Sequence, residues 1–179
     1  MKGSSVRVRF SALHKSLKII CIFKDFYIIQ TLRRLCYITT KGGVMDKTIA
    51  IVTGASGGLG REFVKILSKE KKLSEIWVVA RNAQKLQQLA EEFGTKIRPI
   101  AKDLSDNVQR KELSAMIAEE RAAIQYLINN AGYAKFCSYD DLSVEESINM
   151  INLNISAVVA LGLYCIPYMK PGSHIINIR

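Results

Sequence analysis

Short apolar runs alternate with amphipathic segments along the chain from residue 45 onward. The runs are rich in β-branched residues and are bounded by polar or glycine-containing turns, which is typical of buried parallel strands. Strands are predicted at 47–52, 75–80, 96–101, 123–129 and 174–179.

The segments between these runs have the spacing of helices. Leu59, Phe63, Val64 and Leu67 share one predicted helix face, and a second helix over 82–93 stops at Gly94. A polar helix follows at about 105–120. Strands that alternate with helices at this spacing predict an α/β fold, a Rossmann-type doubly wound parallel sheet of about five strands.

A longer helix is predicted from a capping box, Ser143-x-x-Glu146, to about residue 168. Its second half is apolar on nearly every side, so it must be covered on more than one side. The sheet can cover one side. The other requires a further helix or a second subunit, which leaves a homo-oligomer through 143–168 open.

The charge is concentrated at the N-terminus. Residues 1–44 hold nine Lys or Arg and one Asp, whereas the whole chain carries a net charge of +10, so residues 45–179 account for +2. A nucleic-acid partner is therefore not expected, and the globular part has the surface of a cytoplasmic enzyme. The four cysteines show no C-x-x-C spacing, which predicts free thiols and no metal site.

Residues 1–44 are predicted to be a basic extension outside the fold, with a nucleotide-binding domain over 45–179. One interpretation is an upstream over-extension of the reading frame, because Met45 lies eight residues before Thr53, a normal length for a first strand. The codons of 41–44 could also hold a purine-rich ribosome-binding sequence. The alternative is a targeting or membrane-surface helix, although no stretch reaches the length of a membrane span.

The sequence TGASGGLG, residues 53–60, directly follows the first predicted strand and opens a helix. A glycine turn in that place directs backbone N–H groups and the positive helix end toward a bound phosphate. Glycine is needed because a Cβ would block the tight turn and the close approach of a pyrophosphate. The spacing fits both G-x-x-x-G-x-G and G-x-x-G-x-x-G, so the loop alone does not decide between them.

Arg81 stands 21 residues after Gly60, at the end of the second predicted strand. An NAD-selective site would have a carboxylate there to bind the ribose 2′-hydroxyl. An arginine can instead pair with a 2′-phosphate, which predicts NADP (NADPH) in preference to NAD. The alternative is that Arg81 is a solvated residue before a helix capped by Asn82.

Two further turns complete the pattern, with Asp103-Leu104 after the third strand and Asn129-Asn130-Ala131-Gly132 after the fourth. Together with TGASGGLG they resemble the short-chain dehydrogenase/reductase family, and the resemblance favours the G-x-x-x-G-x-G spacing. It implies a set of cofactor-binding residues: Thr53, Gly54, Ser56, Gly58, Leu59, Gly60, Arg81, Asp103, Leu104, Asn130, Ala131 and Gly132. It also implies a catalytic helix asparagine, for which Asn154 matches best and Asn152 is a neighbouring alternative.

The sequence departs from that family at its C-terminal end. The family's catalytic Ser and Tyr-x-x-x-Lys follow the fifth strand, whereas this sequence ends at Arg179, and Tyr126, Tyr164 and Tyr168 precede no lysine at that spacing. We therefore expect a C-terminally truncated form, without activity, of an enzyme that transfers hydride between NADP(H) and a small carbonyl or alcohol. The alternative is a non-catalytic nucleotide-binding or interaction protein.

Overall fold

The computed structural model describes residues 18–21 and 47–178, in which six parallel strands form one sheet. The order across the sheet is β1-β6-β5-β2-β3-β4. The strands are β1 (Lys18–Cys21), β2 (Thr48–Thr53), β3 (Glu75–Ala80), β4 (Ile97–Ala101), β5 (Ala123–Asn129) and β6 (Met169–Asn177).

Helices connect strands β2 to β6 in sequence. They are α1 (Gly58–Ser68), α2 (Ala83–Phe93), α3 (Asn107–Glu120), α4 (Val144–Ile151) and α5 (Ala157–Cys165), with a π-helical turn (Asn152–Ser156) joining the last two. Short 3₁₀ turns lie at Tyr139–Asp141 and Ile166–Tyr168. The doubly wound α/β fold is thus confirmed, with all five strands predicted from residue 45 onward. The last of them begins five residues earlier than predicted, at Met169.

Strand β1 lies within the region predicted to be outside the fold. It pairs in parallel with β6, from Lys18 beside His174 to Cys21 beside Asn177. This pairing supplies backbone partners to the otherwise open edge of β6. The other residues before 47 lie outside the described part of the chain, so the division at residue 45 and both interpretations of 1–44 stay predictions.

The sheet is covered on both faces. On one face Trp77, Leu113, Leu127 and Leu161 belong to a buried cluster that includes α3 and α5. On the other face α1 and α2 bury Val64, Leu67, Leu86 and Leu89 against β2 and β3. Strand β2 contributes buried residues to both clusters. The glycine loop therefore begins at the end of a strand that is packed on both faces.

Two of the predicted helix boundaries are set by single side chains. Asn82 caps α2, its Oδ1 accepting from the Lys85 N–H at 2.9 Å, and Gly94 ends α2 with a φ of 89°. Ser143 caps α4, its hydroxyl oxygen accepting from the Glu146 N–H at 3.1 Å. Hydrogen bonds to the Glu146 carboxylate, first from Lys135 and then from the Ser143 backbone, lower the pKa of Glu146, and the second of them is the reciprocal half of the predicted capping box. The Lys135 ammonium lies 2.9 Å from that carboxylate and fastens the preceding loop to the helix.

The continuous helix from Val144 to Tyr168 is covered on one side. Leu153, Ala157, Leu161 and Cys165 lie in the core, and burial raises the pKa of the Cys165 thiol to about 12, which makes it unreactive at neutral pH. The opposite face is apolar and exposed, with exposed fractions of 42–51% at Ile148, Ile151, Ile155, Val159 and Leu163. The predicted uncovered face is therefore present.

This helix is also long and apolar enough to cross a membrane, with 25 residues and a mean hydropathy of 1.7. Length and composition are weak grounds for a span, because the core helix of a Rossmann-type domain passes the same test. Here the buried residues of the helix are part of the core under the sheet.

Four charged side chains form a network at the amino edge of the sheet. Lys47 lies 3.0 Å from Glu75 and 2.5 Å from Glu120, and Arg98 lies 2.7 Å from Glu120. Hydrogen bonds from Lys47 and Arg98 hold the pKa of Glu120 below its ordinary value. The Arg98 guanidinium also lies over the Trp77 ring, 4.7 Å from its centroid. The network ties β2, β3, β4 and the end of α3 together.

We expect Glu120→Gln to reduce the free energy of unfolding by about 1 kcal/mol at pH 7, because the carboxylate holds two partly exposed cations. The folded-state pKa of Glu120 is depressed, so its contribution is complete above the unfolded pKa and is lost as pH falls through the folded pKa. Urea unfolding should therefore show a difference between the two proteins that shrinks below roughly pH 4.5. Glu119→Gln, at its exposed neighbour, should be neutral, and equal losses from both variants would contradict the assignment.

Candidate cofactor site

The residues singled out from the sequence lie at the carboxyl edge of the sheet. The glycine loop follows β2, Arg81 follows β3, Asp103 follows β4 and Asn130 follows β5. Strand β2 lies between β5 and β3, so the chain reverses its winding direction beside it. Ligands of open α/β sheets bind in the crevice that forms at this reversal point.

The backbone angles and close contacts of the glycine loop show at which positions a larger residue would not fit. Gly54 and Gly58 have φ values of 63° and 54°, which L side chains rarely adopt. A Cβ on Gly60 would lie 2.2 Å from the Gly54 carbonyl oxygen, so the first turn of α1 packs directly on the loop. Gly57 is extended and has open space around it. The backbone requirement thus follows G-x-x-x-G-x-G, the spacing favoured by the family resemblance.

The loop also fits a phosphate at the start of α1. The helix begins after Gly57 with no side-chain cap, so its first N–H groups face the crevice without a side-chain acceptor. Leu59 is 61% exposed, and its predicted place on the buried face of α1 is therefore wrong. It lies in the first turn of α1, directly beside the glycine loop, and does not pack on the sheet. A cofactor bound at the loop would cover it.

Thr53 fixes the glycine loop to the loop after β5. The residue is 1% exposed, and its hydroxyl donates to the Ile128 carbonyl at 3.3 Å and accepts from the N–H groups of Asn130 and Ala131 at 2.9 and 3.0 Å. Both lone pairs and the proton are therefore used. Thr53 acts through this connection, and its side chain is not available to a ligand.

Asn130 makes the same connection from the opposite side. Its amide nitrogen donates to the carbonyls of Thr53 and Gly54 at 3.2 and 3.1 Å. A Cβ on Gly54 would also meet the Cα of Ala131 at 2.8 Å, so the two loops are in van der Waals contact. The NNAG sequence thus completes the wall of the crevice, which accounts for its occurrence together with the glycine loop.

Arg81, Lys102 and Asp103 line a second part of the crevice, beyond β3 and β4. One carboxylate oxygen of Asp103 already has hydrogen-bond partners, because Oδ1 accepts from the N–H and the hydroxyl of Ser105 at 2.9 and 2.7 Å. Leu104 is 3% exposed and belongs to the core, so only its backbone can contact a cofactor. The Arg81 guanidinium is exposed and forms no ion pair or hydrogen bond with any residue that the structure describes.

Asn154 lies in the π-helical turn and faces the NNAG loop. Its Oδ1 accepts from the Tyr133 N–H at 3.1 Å and its Nδ2 donates to the Tyr133 carbonyl at 2.8 Å. A Cβ on Gly132 would lie 2.9 Å from the same Oδ1. Asn152 instead faces its own helix, where its Oδ1 lies 3.5 Å from the Ser156 hydroxyl. The geometry therefore distinguishes the two asparagines, and the catalytic role of Asn154 stays a prediction.

Sequence reasoning missed three contributors to this site. Tyr133 joins the loop to the helix through both backbone groups, and its hydroxyl accepts from the Asn149 amide at 3.0 Å. Asn129 and Asn177 connect the ends of β5 and β6 by a 2.9 Å hydrogen bond. Asn129 could have been recognised from the NNAG sequence. The other two carried no signal, because their partners are distant in sequence.

The acid/base residues of a dehydrogenase do not assemble among residues 47–178. Tyr126 stacks on His174, with ring centroids 5.6 Å apart, and Tyr164 and Tyr168 pack against the core. A Tyr-x-x-x-Lys spacing does occur at Tyr37 and Lys41. Those two residues precede β2 and lie outside the described part of the chain, so no role is assigned to them.

The chain is similar to known proteins in sequence and in fold. The family model for short chain dehydrogenases matches residues 48–179. An uncharacterized oxidoreductase of Staphylococcus epidermidis is 28% identical over 136 residues, covering 75% of this chain and 58% of that protein. A short-chain dehydrogenase from Sphingobium yanoikuyae in complex with NADPH has a TM-score of 0.64 and 25% identity, covering 73% and 52%. A serine dehydrogenase from Escherichia coli has a TM-score of 0.60 and 27% identity, covering 72% and 60%.

The chain therefore belongs to the short-chain dehydrogenase family, as its motifs predicted. It spans 58% of the length of the Staphylococcus epidermidis relative. Members of the family are oxidoreductases that bind a nicotinamide dinucleotide, and the crevice has the features that such a cofactor needs: a glycine turn that a Cβ would obstruct, an uncapped helix start and a wall formed by NNAG.

We expect Thr53→Val to lower the free energy of unfolding by about 2 kcal/mol, because two buried N–H groups lose their acceptor. Thr53→Ser keeps the hydroxyl and should restore most of the loss. Chemical denaturation of both variants measures the difference. A valine variant as stable as the serine variant would show that the hydroxyl does not hold the two loops together.

We expect Asn154→Ala to release the loop at Tyr133, since both hydrogen bonds to its backbone are lost. Hydrogen exchange of the Tyr133 amide should become at least about tenfold faster, which corresponds to roughly 1.4 kcal/mol of local stability. Asn152→Ala, two residues earlier, is the matched control and should leave that amide unchanged. Equal acceleration in both variants would mean that the whole helix has loosened.

Proposed function

We propose that this chain is the cofactor-binding part of an NADP(H)-dependent oxidoreductase that acts on a small carbonyl or secondary alcohol. The cofactor would supply the hydride, and residues 47–178 would bind and orient it. We further propose that residues 1–179 alone bind the cofactor without turnover, and that the protein works in the cytoplasm. The observation that carries the cofactor preference is the exposed guanidinium of Arg81 at the end of β3, which has no ion pair or hydrogen bond among the described residues.

The position of Arg81 supports the proposed preference for NADP(H). In nucleotide-binding sheets of this type the ribose 2′ substituent lies at the end of the second strand of the nucleotide fold, which is β3 here. An unpaired guanidinium there favours a 2′-phosphate, with which it can form charge-assisted hydrogen bonds, over a neutral hydroxyl. The Sphingobium yanoikuyae neighbour was solved with NADPH, which supports the same preference.

The proposed lack of turnover follows from the chemistry available at the crevice. A carbonyl accepting hydride also needs a proton from a positioned acid. Residues 47–178 bring no tyrosine–lysine pair to the carboxyl edge of the sheet, and Asn154 uses its side chain on the Tyr133 backbone. These residues thus hold a cofactor and shape the approach to it, but do not donate the proton.

One observation favours the alternative of a non-catalytic binding protein. The exposed apolar face of α4 and α5 could pair with a second copy of the chain or with a different partner. A dedicated binding module should be monodisperse in solution, whereas an enzyme portion with this face uncovered should aggregate or require a complementing chain. Sedimentation velocity of the purified chain separates the two.

We expect Arg81→Asp to weaken NADPH binding by roughly 100-fold and NADH binding by less than threefold, because an attractive charge at the 2′-phosphate becomes a repulsive one. Titration calorimetry with each dinucleotide measures both effects. Arg121→Asp, at the far end of α3, makes the same change in net charge away from the crevice and is the control. Equal losses for NADPH and NADH would remove the basis for the proposed preference.

We expect the purified 179-residue chain to bind NADPH without oxidising it when short aliphatic or aromatic ketones and aldehydes are supplied, because its crevice has no assigned acid. Absorbance at the NADPH band over hours, with calorimetry on the same sample to show binding, tests this. Carbonyl-dependent oxidation above the rate without protein would refute the proposed lack of turnover.

A further inference from the structure

A groove beside the glycine loop is lined by a lysine, Lys85, that has no part in the proposed function. It lies between the loop and the packed helices α1 and α2. Its walls are formed by Ser56, Arg61, Lys85, Gln88, Leu89 and Glu92. Ser56 belongs to the glycine loop and Lys85 to the first turn of α2, which directly follows Arg81 and Asn82.

Of the three charged side chains in this groove, two neutralise one another. The Arg61 guanidinium binds both oxygens of Glu92, at 2.5 and 2.6 Å, and lies over the Phe93 ring at 5.6 Å. One guanidinium nitrogen, Nη2, donates to both carboxylate oxygens, and this ion pair joins α1 to α2. The Lys85 ammonium has no ion pair or hydrogen bond among the described residues, so it is the uncompensated charge of the groove.

The start of α2 is not itself free to bind an anion. The Lys85 N–H, which would otherwise face a ligand, is donated to the Asn82 side chain at 2.9 Å. An anion placed between the glycine loop and α2 must therefore be held by side chains. Three side chains that line this groove have no hydrogen bond among the described residues, namely Lys85, Ser56 and Gln88, and Lys85 is the one that carries a positive charge. Arg81 lies just before the same helix turn.

From this arrangement we propose that Lys85 is a second specificity-determining residue, which binds the 2′-phosphate of the cofactor from the glycine-loop side while Arg81 binds it from the β3 side. The inference rests on the proposed preference for NADP(H) and deepens it. Two cations on opposite sides would neutralise the double charge of a phosphate monoester. Arg61, although it is nearer the loop in sequence, is excluded from this role by Glu92.

The test uses two adenosine probes that differ in one phosphate, adenosine 2′,5′-bisphosphate and 5′-AMP, with the full chain. Calorimetry should show that Lys85→Gln weakens binding of the bisphosphate by roughly tenfold and leaves 5′-AMP within twofold. Lys85→Arg keeps the charge and should recover most of the affinity. Lys111→Gln, an exposed lysine on α3, removes the same charge elsewhere and should change neither probe.

The outcomes separate this inference from the proposed function. If the unaltered chain binds the two probes equally well, the preference for a 2′-phosphate fails, and the role of Lys85 fails with it. If the chain prefers the bisphosphate and Arg81→Gln weakens it, but Lys85→Gln behaves like Lys111→Gln, the preference stands and the inference about Lys85 is overturned. Because Lys85 is exposed, unchanged thermal unfolding should accompany each lysine variant.

Discussion

The cofactor crevice depends on one buried hydroxyl. Thr53 ends the central strand, and its hydroxyl holds the backbone of Asn130 and Ala131 while donating to Ile128. The Asn130 amide adds two hydrogen bonds to the carbonyls of Thr53 and Gly54, so the two loops are joined from both sides. Gly60 packs closely on Gly54, so the start of α1 is fixed relative to the end of β2. The phosphate-binding geometry thus follows from the sheet and not from the loop by itself.

A second set of hydrogen bonds fixes the residues that follow NNAG, beside the crevice. Asn154 binds both backbone groups of Tyr133, directly after NNAG, and it does so from a π-helical turn. Such turns interrupt the regular hydrogen bonding of a helix and occur frequently at functional sites. The same long helix leaves an apolar face exposed. Its buried side therefore organises the crevice, while its exposed side is where a partner or a second copy would add buried area.

The sequence was sufficient for the fold from residue 45 and for the order of the motifs, because both depend on local periodicity and on glycine turns. It failed where a residue's role depends on a distant neighbour. Leu59 has the spacing of a core residue but extends beyond the sheet. The pairing of β1 with β6 joins segments 156 residues apart, from Lys18 to His174. The significance of Lys85 was invisible for the same reason, since only the packing of α2 beside the glycine loop places it in the groove.

We propose that the carboxyl edge of this sheet binds a 2′-phosphorylated nicotinamide dinucleotide. The most direct test is amide chemical-shift mapping of the labelled chain with NADPH. The account predicts saturable shifts at 54–60, 81–85, 103–104 and 130–133, with none at the amino edge around Lys47 and Glu120. Shifts at the amino edge, or no saturable shifts on the carboxyl edge at millimolar NADPH, would contradict it.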